Sequence, residues 1–70
     1  MRQIILLPRH GHLIDDDVRK GALRLQESGI ACRQQTMLNR IDENGVIVID
    51  SDSDRDRAVA ILRSMRLQVP

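Results

Sequence analysis

The tetrapeptides Ile-Ile-Leu-Leu at residues 4–7 and Val-Ile-Val-Ile at residues 46–49 decide the fold of this chain. Pro8 closes the first run, and the turn-forming pair Asn44-Gly45 precedes the second. Short β-branched and leucine runs between turn signals predict buried strands. Both runs are therefore expected to be central strands of one sheet.

Helical periodicity predicts that one helix follows each of these strands in the sequence. The first runs from about Asp15 to Ser28, because three aspartates suit a helix N-terminus, apolar residues follow at helical spacing, and Gly29 suits its end. The second begins near Asp54 and places apolar residues on one face, with three candidate N-cap residues ahead of it. The apolar face is Ala58, Ile61, Leu62 and Met65, and the candidate caps are Ser51, Asp52 and Ser53.

The remaining segments complete the expected order of elements. Residues 30–38 alternate as a half-exposed strand, and Asn44-Gly45 indicates a hairpin joining it to residues 46–49. Residues 67–69 are expected to form a short edge strand. The prediction is one α+β domain over residues 1–70, a ferredoxin-like βαββαβ open sheet with both helices on one face.

The two apolar strands lack the polar alternation of a half-solvated sheet. They are expected to be central and parallel, and both read as apolar on both faces. Exposure of about four such side chains would forfeit several kcal/mol, at roughly 1.5–3 kcal/mol each. We therefore expect a homodimer or higher oligomer whose interface contains Ile5, Leu7, Ile47 and Ile49. The alternative is a shorter sheet, or helices on both sides, covering these residues within one chain.

Composition excludes several classes of function. The chain is 41% hydrophobic, has no aromatic residue, and carries 11 basic against 10 acidic residues, for a net charge of +1. It therefore lacks both the stacking residues of single-strand nucleic-acid binders and the charge of general nucleic-acid or membrane binders. A single cysteine, Cys32, and an N-terminal apolar run too short for a signal peptide predict a cytoplasmic protein.

Two histidines follow the first strand, and they raise two chemical hypotheses. His10 and His12 are candidate metal ligands with Asp15 or Asp16, although loop histidines are more often solvated. The triplet Arg9-His10-Gly11 resembles the signature of the histidine phosphatase superfamily. That resemblance implies a nucleophilic His10 and a phosphate-binding Arg9, but the second arginine-histidine pair of that family has no counterpart here.

Three further features have structural interpretations. Residues 50–56 alternate carboxylates as an EF-hand loop does, but Arg55 and Ile61 stand where Gly and Glu are required, so capping explains the acids better. Cys32 is either a reactive thiol beside Arg33 or a small buried hydrophobe. Gly21, inside the first helix, is expected to mark close packing against a strand.

A longer pattern resembles the short prokaryotic signal-transducing domains. The positions that carry it are Ala22, Leu25, Ser28-Gly29-Ile30, Gly45-Val46, Val48, Asp54, Arg57-Ala58 and Ile61-Leu62. The resemblance implies a ferredoxin-like fold akin to nitrogen-regulatory signalling proteins, oligomerisation and a binding role. The segment before the first helix departs from this pattern, since it is longer than a tight connection.

These observations lead to one main hypothesis and two alternatives. The main hypothesis is a non-enzymatic regulatory module without a cofactor or bound metal, which self-associates and contacts a protein or small ligand through Arg9, His10 and His12. The first alternative is a nucleic-acid-binding regulator that uses Arg2, Arg9, Arg33 and Arg40. The second is phosphoryl handling at His10.

Overall fold

The computed structural model describes residues 2–8, 14–35 and 44–70, and it has the α+β architecture predicted from the sequence. Three strands and two helices make up these segments, with a 3₁₀ turn ahead of the second helix. In order they are β1 (Arg2–Leu6), α1 (Ile14–Glu27), β2 (Cys32–Gln35), β3 (Gly45–Ile49), the 3₁₀ turn (Asp52–Asp54) and α2 (Arg55–Ser64).

The sheet has the strand order β1-β3-β2, and both pairs are antiparallel. Ile4 of β1 faces Ile47 of β3, and Cys32 of β2 faces Ile49. The expectation that residues 4–7 and 46–49 run parallel is therefore wrong. Helix α1 carries the chain from β1 to β2 in the same direction, and the chain reverses before β3, which enters between them antiparallel to both.

The pairing of the second and third strands is confirmed, but their turn is not where the Asn-Gly signal placed it. Gln35 pairs with Val46, and Gly45 already belongs to β3 opposite Leu6. A tight type I′ turn needs positive φ at both central residues. Within residues 2–8, 14–35 and 44–70, positive φ occurs at Gly29 and Arg66, not at Asn44 or Gly45.

The expected edge strand at residues 67–69 is reduced to one bridge. Gln68 pairs antiparallel with Leu7, and the Leu7 amide donates to the Gln68 carbonyl at 2.9 Å. This bridge lies on the side of β1 away from β3.

Both helices pack on one face of the sheet around a single core. The core takes Ile4 and Leu6 from β1 and Ile47 and Ile49 from β3, and it adds apolar residues from both helices and from the segments that follow them. Those others are Val18, Ala22, Leu25, Ile30, Ala58, Val59, Leu62 and Leu67.

Two glycines allow α1 to approach its neighbours closely. A Cβ at Gly21 would lie 2.9 Å from the Leu62 Cδ2 atom and 3.2 Å from the Ile47 Cδ1 atom, which confirms the close packing expected there. A Cβ at Gly45 would overlap Val18 and lie 3.0 Å from the Ile14 Cγ1 atom. The first turn of α1 therefore rests directly on the backbone of β3.

Each helix ends with the same hydrogen-bonded arrangement. The Ile30 amide donates to the Leu25 carbonyl at 2.9 Å and the Gly29 amide to the Gln26 carbonyl at 3.0 Å. The Leu67 and Arg66 amides repeat this pattern with the Leu62 and Arg63 carbonyls. These paired bonds define Schellman motifs, which turn the chain back toward the sheet. Neither helix of the described segments has the length and apolar character needed to cross a membrane.

Candidate functional site

The sheet face opposite the two helices is the candidate site. Side chains alternate between the faces of a sheet, so the residues of β1, β3 and β2 that alternate with the core positions point away from both helices. They form two cross-strand rows, Gln3-Val48-Arg33 and Ile5-Val46-Gln35, with Leu7 beyond them on the same side of the first strand. This set of seven residues is called the open face below.

The polar part of the open face surrounds a depression of about 450 Å³. Among the described residues, it is lined by Arg2, Gln3, Arg33, Gln35 and Val48. The Gln3 Nε2 atom donates to the Gln35 Oε1 atom at 3.3 Å, so the two amides connect β1 to β2 across the central strand. Val48 is only 6% exposed, although it does not join the core cluster. The depression therefore has polar walls and an apolar floor.

The apolar part of the open face is centred on Ile5, which is 41% exposed. Val46, its partner in β3, and Leu7 are each partly buried. Covering so exposed an isoleucine with another surface would stabilise the molecule, because its apolar area would leave water. The open face thus divides into an apolar part along β1 and a polar part beside β2.

Two of the four predicted interface residues lie in the wrong place for that role. Ile5 and Leu7 are on the open face, but Ile47 and Ile49 are fully buried against the helices. A run of four apolar residues carries no polar marker of its outward side, so the sequence did not distinguish the alternate positions. The residues that β3 contributes to the open face are Val46 and Val48.

The predicted ligand-contact residues Arg9, His10 and His12 lie outside the described residues, and so does Arg40. The phosphoryl-handling and histidine-metal hypotheses fall on that same segment. Of their proposed aspartate ligands, Asp16 forms ion pairs with Arg19 and with Lys20, the latter at 2.9 Å. Hydrogen bonds from Lys20 and Arg19 lower the pKa of the Asp16 carboxyl. Among the described residues, no three His, Cys, Asp or Glu side chains are grouped as metal ligands.

Cys32 lies in β2 on the helix side of the sheet and is partly buried. Its thiol donates to the Ala22 carbonyl of α1 at 3.5 Å, and the Gln26 side chain donates to the Cys32 carbonyl at 3.1 Å. Burial raises the pKa of the Cys32 thiol, and the Asp50 carboxylate adds to the rise while the Gln26 hydrogen bond opposes it. A thiol held in its neutral form is a weak nucleophile.

The acidic run at residues 50–56 leads into α2 without side-chain capping. Ser51 and Asp54 occupy the N-cap positions of the 3₁₀ turn and of α2, and neither makes a side-chain cap hydrogen bond. The Ser51 and Ser53 hydroxyls lie 2.8 Å apart. Asp54 instead pairs with Arg57 at 3.6 Å, so the capping interpretation of these acids is replaced by ion pairing within the helix.

A second, shallower groove of about 280 Å³ lies between the two helices. Leu23 of α1 lines it and is 47% exposed, while Met65 at the end of α2 is partly buried beside it. Lys20, Arg24 and Glu27 supply its polar side. This groove mixes both charges and has no feature that selects one kind of ligand.

Sequence reasoning missed Gln3 and Gln35 as members of a site. Their signal was present, since Gln3 precedes an apolar run and Arg33 and Gln35 alternate along β2. Only the observed register places all of them around Val48.

Comparison of the chain with family models, with curated proteins and with solved structures finds no match.

Proposed function

We propose that this protein is a small cytoplasmic regulatory binding module, not an enzyme, and that it self-associates through the apolar part of its open face. The exposed Ile5 of β1, on the open face, is the observation that carries the proposal. A ferredoxin-like arrangement underlies it. The strand order β1-β3-β2 and the bridge from Leu7 to Gln68 outside β1 support that arrangement.

A second copy of the chain is the occupant that best fits this apolar part. A two-fold axis through Ile5 would place Ile5 against its own counterpart and bring the neighbouring Leu7 and Val46 of both copies around it, which is the self-complementary geometry of a symmetric dimer. The same axis would leave Arg33 at the margin, because the arginine lies on the β2 side of the sheet. The Arg33 side chains of the two copies then stay apart in the proposed dimer.

Size predicts that this dimer is weak. The molecule measures 29 × 22 × 19 Å, so one sheet face offers on the order of 500 Å² per partner, roughly 1,000 Å² in total. That total lies at the lower end of specific interfaces. A dissociation constant in the micromolar range is therefore expected, and binding of a further ligand can shift the equilibrium.

Sedimentation velocity over a concentration series tests the proposal. The wild-type chain should pass from an 8.0 kDa monomer to a dimer as its concentration rises through the micromolar range. Ile5→Gln should remain monomeric throughout. Leu23→Gln is the matched control, because Leu23 is similarly exposed, at 47% against 41% for Ile5, but lies on α1, and it should dimerise as wild type does. A monomeric wild-type chain at about 1 mM would overturn the proposal.

The same proposal assigns ligand or partner contacts to Arg9, His10 and His12. They support it by their chemistry alone, since Arg and His offer hydrogen-bond donors to anionic groups. NMR spectra of the wild type and of a triple alanine variant, each mixed with a candidate partner, provide the test. A partner whose addition shifts both spectra equally does not use these residues.

The alternative of a nucleic-acid-binding regulator has one observation in its favour. Arg2 and Arg33, two of the four arginines it invokes, line the same depression. Two arginines on a chain of net charge +1 give a small electrostatic footprint. Binding of an oligonucleotide that weakens steeply with salt would support this alternative, and no binding at low salt would exclude it.

A further inference from the structure

The dipeptide Asn44-Gly45, where β3 begins, combines a chemically labile sequence with a restrained backbone. Asparagine side chains are thermolabile, and a following glycine has no Cβ to shield its backbone nitrogen. That nitrogen can attack the Asn44 side-chain carbonyl, which is the first step of deamidation. The other asparagine of the chain, Asn39, precedes Arg40, whose side chain hinders the same attack.

The sheet restrains the Gly45 nitrogen in the folded chain. Gly45 is paired with Leu6 of β1. Just beyond β3, the Asp50 amide donates to the Ala31 carbonyl at 3.0 Å, on the β2 side of the strand. Backbone amides alternate between the two edges of a strand, so Gly45, five residues earlier, presents its amide to Leu6. A nitrogen held in the ladder in this way is kept from the side chain that precedes it.

Helix α1 restrains the same glycine from one face of the sheet. Gly45 is buried, and a Cβ added to it would overlap the Val18 side chain and lie 3.0 Å from the Ile14 Cγ1 atom. Attack on the side chain requires rotation about the Cα–C bond of Asn44, which would carry Gly45 out of its place beneath these two residues. Close packing leaves no room for that movement. The reaction therefore requires the first two turns of α1 to move away.

We propose that Asn44 is a deamidation site that is closed in the folded chain and opens when the first two turns of α1 separate from β3. In the open chain the Gly45 nitrogen loses its proton and bonds to the Asn44 Cγ atom, and the side-chain nitrogen leaves as ammonia. Water then opens the resulting succinimide. Opening at the former side-chain carbonyl gives aspartate, and opening at the main-chain carbonyl gives isoaspartate. Water is the only co-reactant.

Either product changes the chain at the start of β3. Both add one negative charge to a net charge of +1, which leaves the chain neutral. Isoaspartate also adds a methylene group to the main chain, which disturbs the pairing of Gly45 with Leu6 and its contact with Val18. Because ammonia is lost, the folded state does not reverse the change. The site is therefore a one-way record of how often this part of the fold has opened.

Peptide mapping by mass spectrometry tests the proposal on the full chain. Samples are kept at mildly alkaline pH, either folded or in urea, at a concentration where the proposed dimer is dissociated. Asn44 should convert at least about tenfold more slowly in the folded chain, since only the open fraction reacts. Asn39 is the internal reference and should convert more slowly than Asn44 in urea. Equal rates for Asn44 in the two samples, or for the two asparagines in urea, would overturn the proposal.

Matched variants locate the opening step. Val18→Ala removes a contact of Gly45, and Val59→Ala truncates a similarly buried valine of α2 that is not among the nearest neighbours of Gly45. Compared at equal stability, which small additions of urea provide, Val18→Ala should speed the folded reaction several-fold more than Val59→Ala. Ile14→Ala takes its place should Val18→Ala fail to fold. Equal rates in the α1 and α2 variants would show that the reaction does not depend on this contact, and the proposal would then be wrong.

Discussion

At the scale of single residues, the two helix ends use the same backbone geometry with different side chains. The second residue after α1 is Gly29, with φ of 83°, and the second residue after α2 is Arg66, with φ of 65°. The left-handed backbone conformation costs a non-glycine residue roughly 1–2 kcal/mol. Glycine avoids this cost, but its unfolded state is more flexible, so the net advantage of glycine is smaller than that. The backbone is thus strained at the end of α2, at Arg66, and not at the end of α1, at Gly29.

A reciprocal pair of substitutions measures this strain. Arg66→Gly should raise the free energy of unfolding by up to about 1 kcal/mol, and Gly29→Ala should lower it by about 1 kcal/mol. A Cβ at Gly29 would meet no atom within 4 Å, so its effect comes from the backbone alone. Urea denaturation gives both values. Equal effects of the same sign would contradict the interpretation.

The reactivity of Cys32 offers a second test at this scale. Burial and the Asp50 carboxylate raise the pKa of its thiol, so the thiolate fraction at neutral pH is below that of an ordinary cysteine. Alkylation by iodoacetamide should be several-fold slower in the folded chain than in urea, and its rate should rise toward alkaline pH. Asp50→Asn should speed the folded reaction, and Asp52→Asn, an exposed neighbour, should not.

The same pKa shift gives the sign of a stability change. A thiol whose folded pKa is raised favours the folded state while it stays protonated. Its contribution is complete below the ordinary cysteine pKa and is lost as the pH rises through the folded value. Cys32→Ser should therefore reduce the alkaline loss of stability, as measured by urea midpoints on either side of that range.

At the scale of elements, the contact between α1 and β3 depends on Gly45. An alanine Cβ at Gly45 would overlap Val18 and approach Ile14, both in the first two turns of α1. Gly45→Ala should therefore destabilise the fold by about 1–3 kcal/mol through overpacking. Gly21→Ala should cost less, because its Cβ meets the movable ends of Leu62 and Ile47 and alanine favours the helix by about 1 kcal/mol. Thermal melts of the two variants provide the comparison.

An ion-paired carboxylate in α1 makes the stability of the fold depend on pH in the acidic range. Hydrogen bonds from Lys20 and Arg19 lower the pKa of Asp16, so the ionised carboxylate favours the folded state. Its contribution is present above the ordinary aspartate pKa and is lost as the pH falls through the lowered value. Asp16→Asn should reduce the free energy of unfolding at pH 7, and the stability of the variant should fall less as the pH is lowered. High salt should shrink the difference, since the pairs are exposed.

The elements were predictable because each has a local signal, but their mutual arrangement was not. Helical spacing and Gly29 placed α1 to within a residue of its observed ends, Ile14 and Glu27. The sequence did not predict which residues of β3 enter the core, since Val-Ile-Val-Ile is apolar at every position and so on both faces of the strand. The backbone contact of α1 at Gly45 decides which alternate residues enter the core, and that contact belongs to the tertiary structure.

At the scale of the whole molecule, the two helices and three strands of the described segments leave one sheet face that neither of these helices covers. Only part of that face is apolar among the described residues. Gln3, Arg33 and Gln35 surround Val48 and reduce the apolar area exposed there. The pairing register produces this mixture, because it brings two separate polar segments of the chain to either side of one valine.

Adjacent residues of β1 distinguish the stability of one subunit from the stability of an assembly. Ile4 is 3% exposed in the core and Ile5 is 41% exposed on the open face, so the same substitution probes two different surfaces. Ile4→Ala should lower the free energy of unfolding by about 2–5 kcal/mol at any protein concentration. Ile5→Ala should cost less than about 1 kcal/mol in dilute solution, where the proposed dimer is dissociated.

Concentration separates the two effects further. The melting temperature of a protein stabilised by dimerisation rises with its concentration by mass action, so the wild-type Tm should increase between about 5 µM and 500 µM. The Ile4→Ala chain should show the same increase from a lower starting value, since its open face is intact. The Ile5→Ala chain should show a much smaller increase. A Tm that is independent of concentration for all three chains would mean that the exposed isoleucine is not covered by a second copy.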